Sequence, residues 1–305
     1  MKNSKLCITV VSSVCFLLSG AAAQTHEGST TTMKNYTVIS GNTSLTVQPD
    51  AGARIVSFKT GRYEFLTGKE IHADNYGSTF WPSPQTLWNW PPPRVLDSDP
   101  YTLENGNGLL RMVSGKDPQT GLQFTKEFTS AQNGKIRITY SMSNAGNAAQ
   151  KTAPWDISRL HKGGLLFFPL GEGSVGVKHF APVPADVLDG IVWFQDGKVR
   201  PKESELSIAN VSEGWAAFAI DGKIFIKKFP GVKPAQQAPG EAVLSIYVSS
   251  DADYIEFEIQ GPYTALSPGK TFPWNIEWIA VDIPDTIRTV KGNKELVEFV
   301  RGIIR

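Results

Sequence analysis

The side chains best suited to proton transfer or to sugar binding lie in the run Tyr254-Ile-Glu256-Phe-Glu258-Ile-Gln260. Successive side chains of a β-strand point to opposite faces, so the tyrosine, both glutamates and the glutamine are predicted to share one face. That face is either a solvent-exposed sheet surface or the lining of a cleft. The turn that follows, Gly261-Pro262-Tyr263, favours the cleft. In an enzyme, Glu258 would be the general base, and Glu256, Gln260 and Tyr263 would contact the substrate.

A second cluster of reactive side chains occupies the run Trp155-Asp156-Ile-Ser-Arg159-Leu-His161. The guanidinium fork of Arg159 is suited to binding vicinal hydroxyls or a carboxylate. His161 can transfer a proton near neutral pH, and either His161 or Asp156 is the candidate acid that would complement Glu258. The alternative is an Asp156–Arg159 ion pair that fixes a loop.

Three indoles and five prolines lie in the segment Trp81-Pro-Ser-Pro-Gln85-Thr-Leu-Trp88-Asn-Trp90-Pro-Pro-Pro93. Because proline fixes φ and lacks an N–H, this segment is predicted to be a stiff, polyproline-like loop and not a central strand. One interpretation is a tryptophan-rich loop that plugs one end of a β-core. The other is an aromatic platform for a sugar, in which Trp81, Gln85, Trp88 and Trp90 contact the ligand.

The elements that must position these residues are mostly strands. Short strand-like runs such as Leu109–Val113 and Leu165–Pro169 follow one another, and Asn133-Gly134 and Asp221-Gly222 predict hairpin turns. Helical spacing is confined to the end of the chain, where Asn293 is predicted to cap a short C-terminal helix. Many strands with a single helix predict an all-β sandwich or barrel, in one domain spanning residues 34–305.

The first 23 residues have the pattern of a secretory signal peptide. Two lysines precede an apolar run, and Ala21-Ala22-Ala23 offers a cleavage site. Cys7 and Cys15, the two cysteines of the chain, both lie here, so the mature protein would have no disulfide and no thiol nucleophile. Residues 24–33 predict a disordered tail. We therefore expect a periplasmic or secreted bacterial protein with no stable membrane insertion after signal cleavage.

The bulk composition excludes some classes of function. The 305 residues include 30 Lys and Arg against 29 Asp and Glu, and this balance argues against a nucleic-acid partner. The sequence has no H-E-x-x-H, G-x-S-x-G or P-loop motif. We therefore expect the protein to use neither a metal nor another cofactor.

Several runs match known families. The runs Gly-Ala-Arg54-Ile-Val-Ser-Phe-Lys, Lys135-Ile-Arg-Ile-Thr-Tyr-Ser-Met-Ser-Asn144 and Glu258-Ile-Gln-Gly-Pro-Tyr-Thr-Ala-Leu-Ser-Pro-Gly269 resemble strands of galactose-mutarotase-like, or aldose 1-epimerase-like, proteins. The runs Ser78-Thr-Phe-Trp-Pro-Ser-Pro-Gln85 and Trp155-Asp-Ile-Ser-Arg159 resemble, more narrowly, a bacterial domain of unknown function, DUF4380.

This resemblance implies a β-supersandwich of large antiparallel sheets whose concave cleft takes a mono- or oligosaccharide. Mutarotases use a histidine acid and a glutamate base, which by position fall near Trp155 to His161 and at Glu256 or Glu258. The family's Asn-x-x-His-x-Tyr/Phe signature is not present after Asn144. The resemblance therefore leaves open an aldose 1-epimerase-like isomerase and a non-catalytic carbohydrate-binding protein. Glycoside hydrolases and lyases that use the same fold are a further alternative.

Overall fold

The computed structural model describes residues 34–106, 109–173, 176–177, 182–197 and 200–305. Within these ranges the chain is built almost entirely of short β-strands. Numbered in chain order, they are β1 Tyr36–Ser40, β2 Thr43–Gln48, β3 Arg54–Thr60, β4 Tyr63–Glu64, β5 Ser78–Ser83, β6 Thr102–Gly106, β7 Leu109–Val113, β8 Leu122–Ser130, β9 Lys135–Asn144, β10 Gln150–His161, β11 Leu165–Pro169, β12 Gly176–Val177, β13 Ala185–Leu188, β14 Ile191–Gln195, β15 Glu205–Ala209, β16 Trp215–Ile220, β17 Lys223–Lys228, β18 Leu244–Val248, β19 Tyr254–Gln260, β20 Thr264–Leu266 and β21 Thr271–Asp282. The α-helices of the described residues are α1 Arg94–Asp97 and α2 Lys294–Ile304.

The strands form two large sheets. The first has the order β1-β2-β3-β5-β10-β19-β18-β15-β12, with β4 added to β3 and β20 added to β10. The second has the order β13-β14-β11-β16-β17-β21-β9-β8-β7-β6. Neighbouring strands run antiparallel, for example β10 beside β19 and β9 beside β21. The predicted all-β fold of large antiparallel sheets with a short C-terminal helix is therefore confirmed.

The main hydrophobic core lies between the two sheets. The ring of Phe257 on β19 lies 5.7 Å from that of Phe225 on β17, and Phe58 on β3 lies 4.7 Å from Phe225. Ile255 and Ile259 are fully buried in the same core. Burying each such side chain contributes about 1.5–3 kcal/mol. The apolar face of β19 thus points at the second sheet, as its alternation predicts, and its polar face points outward.

Local sequence signals explain how several elements begin and end. Asp221 and Gly222 have φ of 48° and 70° and join β16 to β17 in a two-residue turn, with Ile220 paired to Lys223. Two positive φ values are what a type I′ hairpin requires. At the other end of the chain, the Asn293 side chain accepts the backbone N–H of Glu295 at 3.0 Å and caps α2. Both of these predictions from the sequence are confirmed.

The helix α2 covers the outer face of the second sheet. Its buried residues Leu296, Val297 and Val300 belong to a second hydrophobic cluster that includes Trp215 and Ile226 of that sheet. None of the helices in the described ranges is long and apolar enough to cross a membrane. The predicted signal peptide, residues 1–23, and the predicted tail, residues 24–33, lie outside the described residues.

The prediction that 81–93 is a loop throughout is wrong at its first residues. Trp81, Pro82 and Ser83 belong to β5, which pairs with β10 along its whole length. Along its other edge, β5 pairs with β3 only through Ser78. Pro82 has no neighbouring strand on that edge, so its missing N–H interrupts no hydrogen-bond ladder. The remainder of the segment is a loop with one turn of 3-10 helix at Gln85–Leu87.

The alternative of an Asp156–Arg159 ion pair that fixes a loop is also wrong. The residues from Trp155 to His161 form the end of β10, which is hydrogen-bonded to β5 on one side and to β19 on the other. Residues three apart on a strand point to opposite faces. Asp156 and Arg159 therefore do not pair with each other, and each finds a different partner.

Candidate functional site

A cavity of about 370 Å³ opens on the outer face of the first sheet. Its aromatic lining is Trp81, Trp90, Trp155, Tyr247 and Tyr254. The rest of its lining is Asn75, Gln85, Leu206, Glu241, Ser245, Glu256 and Glu258. The volume falls within the range of about 300–1,000 Å³ that is typical of small-ligand sites.

Strand register assembles the floor of this cavity. Glu258 on β19 lies opposite Ser245 on β18, and Glu256 lies opposite Tyr247. The other neighbour of β19 is β10, and its Trp155 lies opposite Trp81 of the next strand, β5. Because residues two apart share a face, the outward side chains of four adjacent strands form one continuous surface.

Three indoles wall one side of the cavity. The Trp81 ring meets the Trp155 ring edge-on at 5.6 Å and the Trp90 ring edge-on at 5.8 Å. The Trp81 Nε1 donates to Asp97 Oδ1 at 2.7 Å, which fixes the orientation of its ring. Edge-to-face pairs of this kind are preferred over face-to-face contact, so the three rings support one another in the wall.

The two tryptophans of the following loop have different environments. Trp88 is 3 % exposed and donates its Nε1 hydrogen to the Pro82 carbonyl at 2.8 Å, so its ring is packed in the protein interior. Trp90 is 58 % exposed and lines the cavity. Asn89, between them, has a φ of 60°, a left-handed conformation that asparagine tolerates better than most residues. Trp88 therefore belongs to the packed part of the loop, and Trp90 is the tryptophan of the loop that is open to contact with a ligand.

Glu258 is the buried acid of the cavity. Its Oε2 accepts a hydrogen bond from Trp155 Nε1 at 2.8 Å. Burial, aided by the nearby charges of Glu256 and Glu241, raises the pKa of Glu258 to about 8, against the opposing effects of Trp155 and Arg159. At neutral pH this carboxyl is therefore mainly protonated and can donate a hydrogen bond.

Glu256 has a dedicated cation. Arg159 is fully buried and donates its Nε to Glu256 Oε1 at 2.8 Å and its Nη1 to Thr79 Oγ1 at 2.7 Å. The guanidinium carbon lies 5.1 Å from the Trp81 ring, in cation–π contact. Its Nη2 has no hydrogen-bond partner among the described residues. Arg159 thus supports the carboxylate and the indole from beneath the cavity.

Asp156 lies on the inner face of β10, away from the cavity. It forms a buried ion pair with Lys227 of the second sheet and accepts the hydroxyl of Tyr140 at 2.9 Å. Lys227 also donates to the Phe257 carbonyl at 2.8 Å. The geometry therefore separates Asp156 from Glu258, and its bonds are directed at the protein core.

Three further predicted residues lie around the cavity without lining it. His161 ends β10 opposite Tyr254, two residues beyond Arg159. Gln260 is buried, accepts the Ser83 hydroxyl at 2.7 Å and donates to Glu241 Oε2 at 3.2 Å. Tyr263 is half-buried, and the Lys151 Nζ lies 5.9 Å from its ring. Of the predicted residues, the lining includes Trp81, Gln85, Trp90, Glu256 and Glu258.

Some lining residues escaped the sequence analysis. Ser245 and Tyr247 alternate with the apolar residues of β18, so a period-of-two pattern was available to find them. Asn75 and Glu241 come from loops, where no periodic signal exists. His72 is adjacent to the site, since its ring meets the Tyr254 ring at 6.0 Å and its Nδ1 accepts the Asn75 N–H at 2.9 Å. Within the described ranges, no group of three or more His, Cys, Asp or Glu residues is arranged to hold a metal ion.

Comparison with known proteins identifies the family. The profile of the domain of unknown function DUF4380 matches residues 83–281, more than half of the chain, so the chain belongs to this family. A search of curated proteins finds no match.

Solved structures show the fold. A galactose mutarotase related enzyme from Lactobacillus acidophilus matches with a TM-score of 0.57 and 12 % identity, over 83 % of this chain and 99 % of that one. A galactose mutarotase-like protein from Lactobacillus casei matches with a TM-score of 0.54 and 13 % identity, over 81 % and 100 % of the two chains. A TPR-domain containing protein from Parabacteroides distasonis matches with a TM-score of 0.58 and 13 % identity, over 83 % and 48 %. The fold is galactose-mutarotase-like, as the sequence resemblance implies.

Proposed function

We propose that this protein binds a saccharide in the cavity of the first sheet. The observation that carries the proposal is the combination of three indoles with three carboxyl groups around one volume of about 370 Å³. Indole rings pack against the apolar C–H face of a sugar ring, while polar groups at the rim take its hydroxyls. The mutarotase-like fold of the solved structures supports this proposal at the level of fold.

Two of these carboxyl groups, those of Glu256 and Glu258, would act differently on sugar hydroxyls. Glu256 is held by Arg159 and would accept hydrogen bonds. Glu258, with its pKa raised to about 8, would be mainly neutral at pH 7 and could both donate and accept. An acceptor beside a donor is suited to neighbouring hydroxyls on one ring.

The raised pKa of Glu258 also favours a second candidate function, aldose 1-epimerase-like catalysis. A group that exchanges a proton with a substrate works best when its pKa lies near the working pH. Glu258 would begin a catalytic cycle mainly as the acid, and only its ionised minority would serve as the general base that the sequence predicts. Asp156 is too deeply buried to take part directly, whereas His161 lies at the end of the same strand face as Trp155 and Arg159.

We further propose that the protein acts in the periplasm or after secretion. The motivating observation is the signal-like pattern of residues 1–23 and the lack of cysteine after it. Mass spectrometry of the protein purified from the cell envelope or medium would test this. A mature N-terminus at Gln24 is expected, and an intact N-terminus would contradict the proposal.

The binding proposal can be tested by calorimetric titration with a panel of mono- and oligosaccharides. Trp90→Ala should weaken binding about two- to tenfold, because one aromatic contact contributes about 0.5–1.5 kcal/mol. Ile39→Ala is the matched control, since Ile39 is a similarly exposed apolar residue that lines no part of the cavity. Binding by no member of the panel at millimolar concentration would contradict the proposal.

The catalytic candidate needs a separate measurement. NMR exchange between α and β anomers across a panel of aldoses should be accelerated by the protein and slowed again by Glu258→Gln. Glu127→Gln, which changes a half-buried glutamate of the second sheet, serves as control. Tight binding without accelerated exchange would favour the non-catalytic binding protein.

A further inference from the structure

A second cavity, of about 520 Å³, lies directly beside the first. The two cavities share Asn75, Trp81 and Trp90 in their walls. Trp81 is buried, whereas Trp90 is 58 % exposed, so the Trp90 indole borders both cavities and is open to solvent. The outer surface thus offers two adjoining spaces, each within the range of about 300–1,000 Å³ that is typical of small-ligand sites.

The second cavity is built on a fixed guanidinium. Arg54 is buried, donates its Nη2 to Asp97 Oδ2 at 3.1 Å and stacks on the Tyr76 ring at 4.3 Å. Asp97 is the same residue that accepts the Trp81 indole N–H. One ion pair therefore anchors the wall that both cavities share. The Nε of Arg54 has no hydrogen-bond partner in the described part of the chain, which leaves a buried donor in the lining of this cavity.

The polar character of the two cavities differs. Carboxyl groups are the charged groups in the described lining of the first cavity. The second cavity has Lys69 and Arg94 as well as Asp50 and Asp74 in its lining, so hydrogen-bond donors and acceptors are mixed. Lys69 lies with its Nζ 5.1 Å from the Tyr76 ring. A mixed polar lining around aromatic surfaces is suited to a neutral, hydroxyl-rich group, the same chemistry as in the first cavity.

We infer that the ligand is a glycan chain of at least two sugar rings, with one ring in each cavity and the linkage crossing Trp90. This inference rests on the proposed function and specifies its substrate class. A free monosaccharide in the first cavity would leave the second cavity unused, although Trp81 and Trp90 line both. The rigid wall of Trp81 and Asp97 means that both subsites exist before the ligand binds, so little ordering opposes the longer chain.

Affinity as a function of chain length tests the inference. Calorimetric titrations would compare glucose, xylose, mannose and galactose with their linear oligomers of two to four rings. We expect the oligomers of one series to bind at least about tenfold more tightly than its monosaccharide. The ligand loses its translational and rotational freedom once, when the first ring binds, so the contacts of the second ring add to the affinity.

Two blocking variants locate the effect. Ala73→Trp and Asp50→Trp each place an indole at an exposed residue that lines the second cavity and not the first. Both should abolish the gain with chain length, so that the oligomers of a series bind about as tightly as its monosaccharide. Ala149→Trp, at an exposed residue that lines neither cavity, should keep the gain.

The outcomes separate the inference from the proposed function. Equal affinity for monomers and oligomers, or a gain that survives in both blocking variants, would overturn the two-cavity inference and leave saccharide binding intact. Binding by no sugar of any length would contradict the proposed function and the inference with it.

Discussion

The two faces of the strand pair β10–β19 bury charged groups in different ways. On the inner face, Asp156 and Lys227 are both fully buried and bonded to each other, with Tyr140 and the Phe257 carbonyl as further partners. On the outer face, Glu258 is also buried, but it has Trp155 as a donor and lies near the like charges of Glu256 and Glu241. Burial lowers the pKa of Lys227, whereas burial and like charge raise the pKa of Glu258.

This difference separates structure from candidate function. The hydrogen bonds of the buried Asp156–Lys227 pair are made to protein groups and not to a cavity, so we interpret the inner face as structural. A buried carboxyl group that is mainly uncharged beside a cavity lowers the stability of the fold. Destabilising groups of this kind are found mostly at binding and catalytic sites. The predictions below test the two faces in order of expected effect.

The largest effect is expected for Lys227→Met, which leaves Asp156 buried without its cation. Breaking a buried pair from one side typically costs about 3–5 kcal/mol. The double variant Asp156→Leu/Lys227→Met should regain much of this loss, because apolar replacement of a whole buried pair is often neutral. Urea denaturation measures the free energy of unfolding of each variant.

Lys223→Met is the control on the same strand. Lys223 pairs with Asp282 at 2.8 Å, but their side chains are 30 % and 67 % exposed, so a loss below about 1 kcal/mol is expected. If Lys227→Met cost no more than this control, the inner pair would not be a closed structural contact.

An intermediate and pH-dependent effect is expected for Glu258→Gln. Between the ordinary pKa of 4.5 and the folded value of about 8, the folded protein binds one proton more than the unfolded chain. The contribution of Glu258 to the free energy of unfolding therefore falls as pH rises, by about 1.4 kcal/mol per pH unit. Glutamine cannot ionise and still accepts the Trp155 N–H, so the variant should gain stability over the wild type from pH 5 to pH 8.

The measurement is the difference between variant and wild type at each pH. Lys126 is also buried, and burial lowers its pKa to about 7, so the wild-type curve alone would combine the titration of Glu258 with those of other groups. Subtraction removes the common part. A difference that does not change with pH would mean that Glu258 titrates alike in the folded and unfolded states.

Much of the fold could be predicted from the sequence because alternation is local. The predicted bounds of β7, β11 and β19 agree with the structure to the residue. Polar and apolar residues alternate in β19, whereas β11 is a short continuous apolar run that is buried throughout. The strands β5 and β10 were missed because each contains a proline. Pro82 and Pro154 sit opposite each other in the sheet, and proline normally argues against a central strand. Only the pairing geometry shows that β5 lacks a second partner there.

The site residues could be predicted where their strand was recognised from the sequence. They could not be predicted where the strand was missed or where a loop supplies the residue. Glu256 and Glu258 line the cavity because the period of β19 places them outward. Asp156 was a reasonable candidate by residue type. Once its segment is recognised as a strand, Asp156 must point to the face opposite that of Trp155 and Arg159, which is the inner face. Asn75 and Glu241 reach the cavity through tertiary contacts that no local pattern encodes.

The smallest effect on stability is expected at the opening of the cavity. Trp90→Ala should change the free energy of unfolding by no more than about 1 kcal/mol, since 58 % of Trp90 is exposed and surface changes are usually small. The other tryptophans of the chain are buried, so the same variant should shift the tryptophan emission maximum to shorter wavelengths. Ile39→Ala, at a residue that is 65 % exposed, sets the scale for an apolar side chain with no role at the cavity. A loss of stability well beyond that control, with an unchanged emission maximum, would show that Trp90 packs in solution. The outer face would then be as closed as the inner one, and the contrast between the two faces would fail.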